Sequence, residues 1–234
     1  KTKWSGMTEI TFRSDMQVDY VQHTGSDEMV ARAARVSTGS DLIENDKIKG
    51  LIRYLVRERH TSTLEHCTLT VRVEAPIFVA REWMRHRTMS YNEISGRYAE
   101  LAPVFYIPDG NRPLVNAGSG AHPLIEFSTD DDLPAYTDGH HRMSYRLAWR
   151  TYSDMRNQGV ANEVARNVLP VGIYTQFYAT ANMNNWFKFL HLRDGNEGSP
   201  QYEIVEAANK VAEILEKLYP VTYGVWAELN GRAG

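Results

Sequence analysis

Apolar residues recur along this chain with two different periods, and the switches between them mark its elements. Near the start Ile10, Phe12, Met16 and Val18 occupy even-numbered positions, the spacing of half-buried strands, so one or two short strands should open the fold. Ser26-Asp27-Glu28 then supplies a capping hydroxyl and two carboxylates where a helix leaves its first N–H groups unpaired, which predicts a helix carrying Val30 to Val36 and stopping at Ser37-Thr38-Gly39. Ile43, Ile48, Leu51, Ile52, Leu55 and Val56 return at roughly helical spacing and predict a second helix over 41–59. After a loop at 60–66 the period drops to two. Leu69, Val71 and Val73 alternate there with Thr68, Thr70, Arg72 and Glu74, as in a strand with one buried face. The apolar segment 75–84 reads as a helix in which Pro76 suits the first turn, Ile77, Phe78, Trp83 and Met84 are available for burial, and Arg81 and Arg85 share a face at i, i+4.

Residues 102–134 break this rhythm with clustered prolines and glycines and the acidic run Asp130-Asp131-Asp132, and are expected to be irregular apart from a short strand at 104–107. Over 135–158 Met143, Leu147, Trp149 and Met155 suit a long amphipathic helix ended by Gly159. A short helix from Asn162 is broken at Pro170. A β-rich run at 171–180, a helix over 182–193 and a final helix over 201–218, with Pro220 beyond it, complete the chain. With no repeat, low-complexity tract or linker, 1–234 is expected to form a single α+β domain, a mixed or antiparallel sheet flanked by helices.

Composition narrows the function classes. The net charge of −3 over 234 residues argues against a nucleic-acid polymer as partner, since such binders carry a basic excess. No apolar run reaches membrane-spanning length and no secretory signal opens the sequence, so a soluble, cytoplasmic protein without a membrane partner is expected. Cys67 is the only cysteine, which excludes an intrachain disulfide; its place beside the alternating strand predicts a buried structural thiol.

Positive charge is instead concentrated locally. Arg85-His86-Arg87-Thr88-Met89-Ser90-Tyr91-Asn92-Glu93-Ile94-Ser95-Gly96-Arg97-Tyr98 gathers three guanidinium groups, an imidazole, serine hydroxyls and an amide around one glycine. Guanidinium groups meet phosphate oxygens in forks, hydroxyls and backbone N–H groups fill the gaps, and the carboxylate of Glu93 can accept from a sugar or a base. A solvated basic turn is the bland reading of any arginine pair. Here the arginines leave a helix end and enter a Ser/Asn/Gly turn, which points to a nucleotide site.

These residues closely resemble the signature of the flavin-dependent thymidylate synthases, and the resemblance extends from about Val30 to Glu203. It implies reductive methylation of dUMP to dTMP, with methylenetetrahydrofolate as carbon donor, FAD as redox carrier and NADPH as reductant. It also implies a homotetramer with FAD held between subunits, in keeping with the absence of a GxGxxG motif. By the same likeness, flavin contacts fall on Ser37, His60, Ser62, Glu65, Arg85, His86, Arg87, Glu93, Asn182, Asn184 and Lys188. Contacts to dUMP fall on Glu82, Arg85, Glu93, Ile94, Ser95, Gly96, Arg97, Arg166 and Arg193. Arg193, which closes the segment beginning at Asn182, is implied to be the catalytic group that stabilises the ionised uracil ring. Some relatives carry glutamine at the position of Glu82, arginine at that of Asn184 and asparagine at that of Lys188. The better-known thymidylate synthases attack uracil with a cysteine, and no evident thiol is offered for that role here.

Other chemistries find less support in the residues. His60 and His66 span a loop rather than one helix face, adjacent His140 and His141 point apart, and no HExxH pattern exists, so no metal is expected. Ser95 as a nucleophile would need an adjacent base, and ligand binding is the simpler role. A flavin-dependent reductase without methyl transfer, and a non-catalytic nucleotide- or RNA-binding module built on the arginine turn, remain as alternatives.

Overall fold

The computed structural model describes residues 9–39, 47–119, 124–196 and 198–232. In chain order the strands and helices are β1 (Thr11–Arg13), β2 (Gln17–Thr24), α1 (Asp27–Val36), α2 (Ile48–Arg57), β3 (Thr68–Pro76), α3 (Ile77–Trp83), β4 (Ser90–Glu93), β5 (Val104–Tyr106), β6 (Val115–Asn116), β7 (Ile125–Glu126), α4 (Leu133–Asn157), α5 (Asn162–Ala165), β8 (Tyr174–Asn182), α6 (Met183–Arg193), α7 (Tyr202–Leu218) and α8 (Pro220–Leu229). Short 3₁₀ turns cover Thr61–His66 and Arg166–Val168. Strands and helices interleave without a regular βαβ repeat, and pairing is both parallel (β1 with β5) and antiparallel (β6 with β7), so the fold is α+β as expected. Ile43 and the start of the helix expected over 41–59 lie outside the described residues.

The chain divides into two compact units. The first comprises Lys1–Asp15, Glu74–Glu82 and Glu93–Gln176. Its core is Phe105, Ile107, Tyr145, Trp149, Tyr152, Ala165 and Ile173, with the Phe105 and Tyr145 rings stacked at 4.9 Å. Three of these residues come from α4, and they correct the face expected for that helix. Tyr145, Trp149 and Tyr152 recur at i, i+4, i+7 and are buried, whereas Met143 and Leu147 are 61% and 67% exposed. At about 100° per residue Met143 and Trp149 sit on different sides of a helix, so they cannot both face one core. Within 102–134 the strand β5 was foreseen, but the small hairpin β6–β7 was not.

The second unit comprises Met16–Val73, Trp83–Asn92 and Phe177–Gly234. The four-stranded sheet has the order β2-β3-β8-β4, and Leu69, Val71, Val73, Phe177, Ala179 and Ala181 are buried, as period-two alternation requires. The Trp186 indole N–H donates to the Leu69 carbonyl at 3.1 Å and ties α6 to β3. Cys67 is fully buried, as expected, and lies against Gly25, where a Cβ would come 2.6 Å from Sγ at a backbone φ of +82°. Ser26 caps α1 through its hydroxyl, as its sequence position indicated. Helix α8 was not anticipated. Its opening N–H groups, on Val221 and Thr222, donate to the Asp27 carboxylate at 3.0 and 2.8 Å.

Two local expectations are corrected at α3. Pro76 is the last residue of β3 rather than part of a helical turn, and α3 stops at Trp83, so Arg85 lies in the following turn and shares no helix face with Arg81.

Candidate active site

In the second unit the signature begins where α3 ends. The His86 N–H donates to the Trp83 carbonyl at 3.0 Å, and the Tyr91 hydroxyl lies 3.0 Å from that carbonyl and 2.9 Å from the carbonyl of His86, closing the turn from behind. Burial raises the Tyr91 pKa, so the hydroxyl keeps its proton and remains a donor. The half-buried His86 ring lies edge-on to Phe189 with centroids 5.0 Å apart. Phe189 and Arg193 both belong to α6, which Asn182 starts by accepting from the Asn185 N–H at 2.9 Å.

Arg193 ends α6, and its Nε donates to His86 Nε2 at 3.1 Å. Burial first, and the Arg193 charge second, push the His86 pKa down from 6.5 to about 4. The imidazole is therefore neutral near pH 7, and the Arg193 bond assigns Nε2 as acceptor and leaves the proton on Nδ1. A neutral acceptor holds the guanidinium in direction without cancelling its charge.

The remaining flavin candidates of this unit form a donor-rich set. The Asn184 amide, 5% exposed, donates to Glu65 Oε1 at 3.1 Å. His60 packs edge-on to Tyr54 at 5.7 Å, just before the 3₁₀ turn that carries the exposed Ser62 and Glu65. Arg85, Arg87 and Lys188 are exposed. Ser37 is exposed as well, and its hydroxyl donates to the Ala34 carbonyl at 2.8 Å, closing α1.

The first unit carries the rest of the signature. Glu93 Oε1 accepts from the buried Thr175 hydroxyl at 2.6 Å, and the Ile94 N–H donates to the Gln176 carbonyl at 2.9 Å. The Ser95 carbonyl accepts from the N–H groups of Tyr98 and Ala99, while its hydroxyl accepts from the Arg97 N–H at 3.3 Å, a compact turn around buried Gly96. A Cβ on Gly96 would meet Arg166 Cδ at 3.3 Å and Leu101 Cδ1 at 3.2 Å, so the lack of a side chain brings Arg166 beside the turn. Arg97 Nε donates to Glu163 Oε2 at 2.8 Å, with both side chains about half exposed. Glu82 is half-buried near the end of α3.

The structure thus brings together Arg193 with His86, Glu65 with Asn184, and Gly96 with Arg166. Sequence reasoning missed Glu163, Thr175 and Tyr91 as partners of site residues. Glu163 sits three positions before Arg166, and Tyr91 is inside the signature, so both were open to inspection. The pairing of Thr175 with Glu93 depends on strands far apart in sequence and had no local signal.

The chain belongs to the thymidylate synthase complementing protein family, whose model matches residues 19–221. Within it, the chain is 44% identical to the flavin-dependent thymidylate synthase of Streptomyces avermitilis over 95% of this chain and 94% of that one. It is 42% identical to the flavin-dependent thymidylate synthase of Tropheryma whipplei, over 94% of this chain and 95% of the relative. The solved structure of the UMP/dUMP methylase PolB from Streptomyces cacaoi bound with 5-Br dUMP is similar with a TM-score of 0.87 at 41% identity, covering 96% of this chain and 99% of that one. Among the described residues, no helix is long and apolar enough to cross a membrane.

Proposed function

We propose that this protein is a single-domain, cytoplasmic flavin-dependent thymidylate synthase that reductively methylates dUMP to dTMP. Methylenetetrahydrofolate is the carbon donor, FAD the redox carrier, NADPH the reductant, and a homotetramer the working assembly, with FAD between subunits. The observation that carries this reading is the hydrogen bond from Arg193 to neutral His86. It holds the guanidinium in a fixed direction, as stabilisation of a developing pyrimidine anion requires, and preorganised charge of this kind is a large part of many catalytic rate enhancements. No protein thiol competes for the role, because burial pushes Cys67 up to about 11.

The donor set fits a flavin dinucleotide. Arg85, Arg87, His60, Ser62 and Lys188 are exposed donors suited to phosphate and ribose oxygens. The Asn184 amide, fixed by Glu65, suits the edge of a ring with alternating donors and acceptors. Bound flavin would supply hydride chemistry, which side chains do not. His86, Glu93, Asn182 and Ser37 are assigned to the same cofactor.

For the substrate, Arg97 and Arg166 are assigned to the phosphate, with Ser95 and the backbone at Ile94 and Gly96 filling the remaining acceptors. Glu82, Arg85 and Glu93 complete the set, and the bond from Thr175 fixes one Glu93 oxygen while the other can accept. The test is to incubate purified, flavin-loaded protein with NADPH, methylenetetrahydrofolate and either dUMP or UMP, because the Streptomyces cacaoi relative is described as a methylase of both. Formation of dTMP supports the reading. NADPH oxidation and flavin reduction without a methylated product would make the protein a reductase, and nucleotide binding by protein with no visible flavin band would make it a binding module.

A further inference from the structure

We propose that Arg232 is a positioning residue for Arg193: its buried ion pair with Asp194 fixes the end of α6 and so the direction of the Arg193 guanidinium. The inference rests on Arg193 as the group that acts on the pyrimidine. Arg232 lies beyond the stretch that the family model matches.

Asp194 directly follows Arg193 and caps α6, its N–H donating to the Leu190 carbonyl at 2.9 Å. A carboxylate at a helix C-terminus faces the negative end of the macrodipole, and this one is also buried, its side chain being 6% exposed. It needs a cation. Arg232, itself 3% exposed, supplies one: Nε pairs with Oδ2 and Nη2 reaches Oδ1 at 3.4 Å, while the Asn196 N–H donates to Oδ1 at 3.0 Å.

Arg232 is itself held firmly. Its N–H donates to the Ala227 carbonyl at 2.8 Å, its Nη1 donates to the Asn230 carbonyl at 2.8 Å, and its guanidinium lies 5.0 Å from the Trp226 ring centroid. Trp226 stacks on Phe187 of α6 at 4.7 Å with planes 7° apart. Helix α8, through Trp226, and the segment after it, through Arg232, therefore grip α6 at two places, Phe187 and Asp194. With Arg232 engaged, the carboxylate nearest to Arg193 in sequence is already occupied by another cation. Without it, Asp194 draws on Arg193 and competes with His86.

The experiment compares full-length Arg232→Gln with the double variant Arg232→Gln/Asp194→Asn, reading dTMP turnover together with the His86 titration by NMR in holoenzyme. In Arg232→Gln, kcat should fall about tenfold while KM for dUMP stays within about threefold, since charge direction rather than binding is lost. The His86 midpoint should rise partway from about 4 as Arg193 leaves it, since burial, the larger cause, remains. The double variant removes the competing carboxylate and should recover both values. If Arg232→Gln does not fold, Arg232→Lys keeps the charge without the fork and should show the same two shifts at smaller amplitude. A folded single variant with neither value moved, or a double variant no better than the single, overturns the proposal. The titration needs no substrate, so wild-type protein that makes no dTMP would sink the enzymatic reading and leave the positioning test standing.

Discussion

Arg193 and Arg97 meet different partners, and mutation should separate them. Arg193 donates to the neutral ring of His86, which orients the guanidinium toward a ligand. Replacing it with alanine should lower turnover about 10²–10³-fold, the scale of losing one preorganised donor to a developing anion. Flavin absorbance of the purified variant should persist, and wild-type turnover would remove Arg193 from catalysis. Arg97 is paired with an anion, Glu163, but both groups are about half exposed, so the pair is worth at most ~1 kcal/mol and a phosphate can displace it. Arg97→Ala should weaken dUMP binding about ten- to a hundredfold, or ~1.4–2.8 kcal/mol, with little change in flavin content. Titration of flavin fluorescence with dUMP reads this directly, and an unchanged dissociation constant refutes the phosphate role.

At the scale of elements, the tight contact between the turn before α1 and Cys67, the residue that leads into β3, makes the sharpest forecast. Gly25 has φ +82° and a Cβ there would lie 2.6 Å from Cys67 Sγ, so Gly25→Ala combines backbone strain with overpacking. Together these should cost about 2–4 kcal/mol, read as a lower midpoint in denaturant unfolding. A loss below ~1 kcal/mol would mean that the turn relaxes freely. Elements with local signals were legible: the Ser26 cap announced α1, period-two alternation announced β3, and Asn182 marked the start of α6. Those whose signals are distant were not. Helix α8 opens on the carboxylate of Asp27, 194 positions earlier, and no window along the sequence contains both. On α4 the apolar residues outnumber those one face can bury, and only the aromatic partner Phe105 shows that Tyr145, Trp149 and Tyr152 form the core side. The candidate site divides in the same way. The signature Arg85 to Tyr98 was readable as a polar turn, but the His86–Arg193 bond joins residues 107 positions apart.

For the whole molecule, the two compact units divide the candidate ligands as well as the fold. Most flavin candidates belong to the unit built on the four-stranded sheet, while Arg97, Arg166 and the Ser95 turn belong to the other. A net charge of −3 with a local cluster of arginines at Arg85, Arg87 and Arg97 suits one small polyanion rather than a polymer. The lone thiol, fully buried and pushed up to about 11, is almost never a thiolate near neutrality. A pyrimidine methylase built this way should shrug off electrophiles. Prolonged N-ethylmaleimide treatment of the native protein should leave its mass and its dTMP output unchanged, with alkylation appearing only after denaturation. An adduct on the folded protein would show that the pocket around Cys67 opens. If it stays shut, oxidants that silence cysteine-based nucleotide metabolism would leave this enzyme making thymidylate.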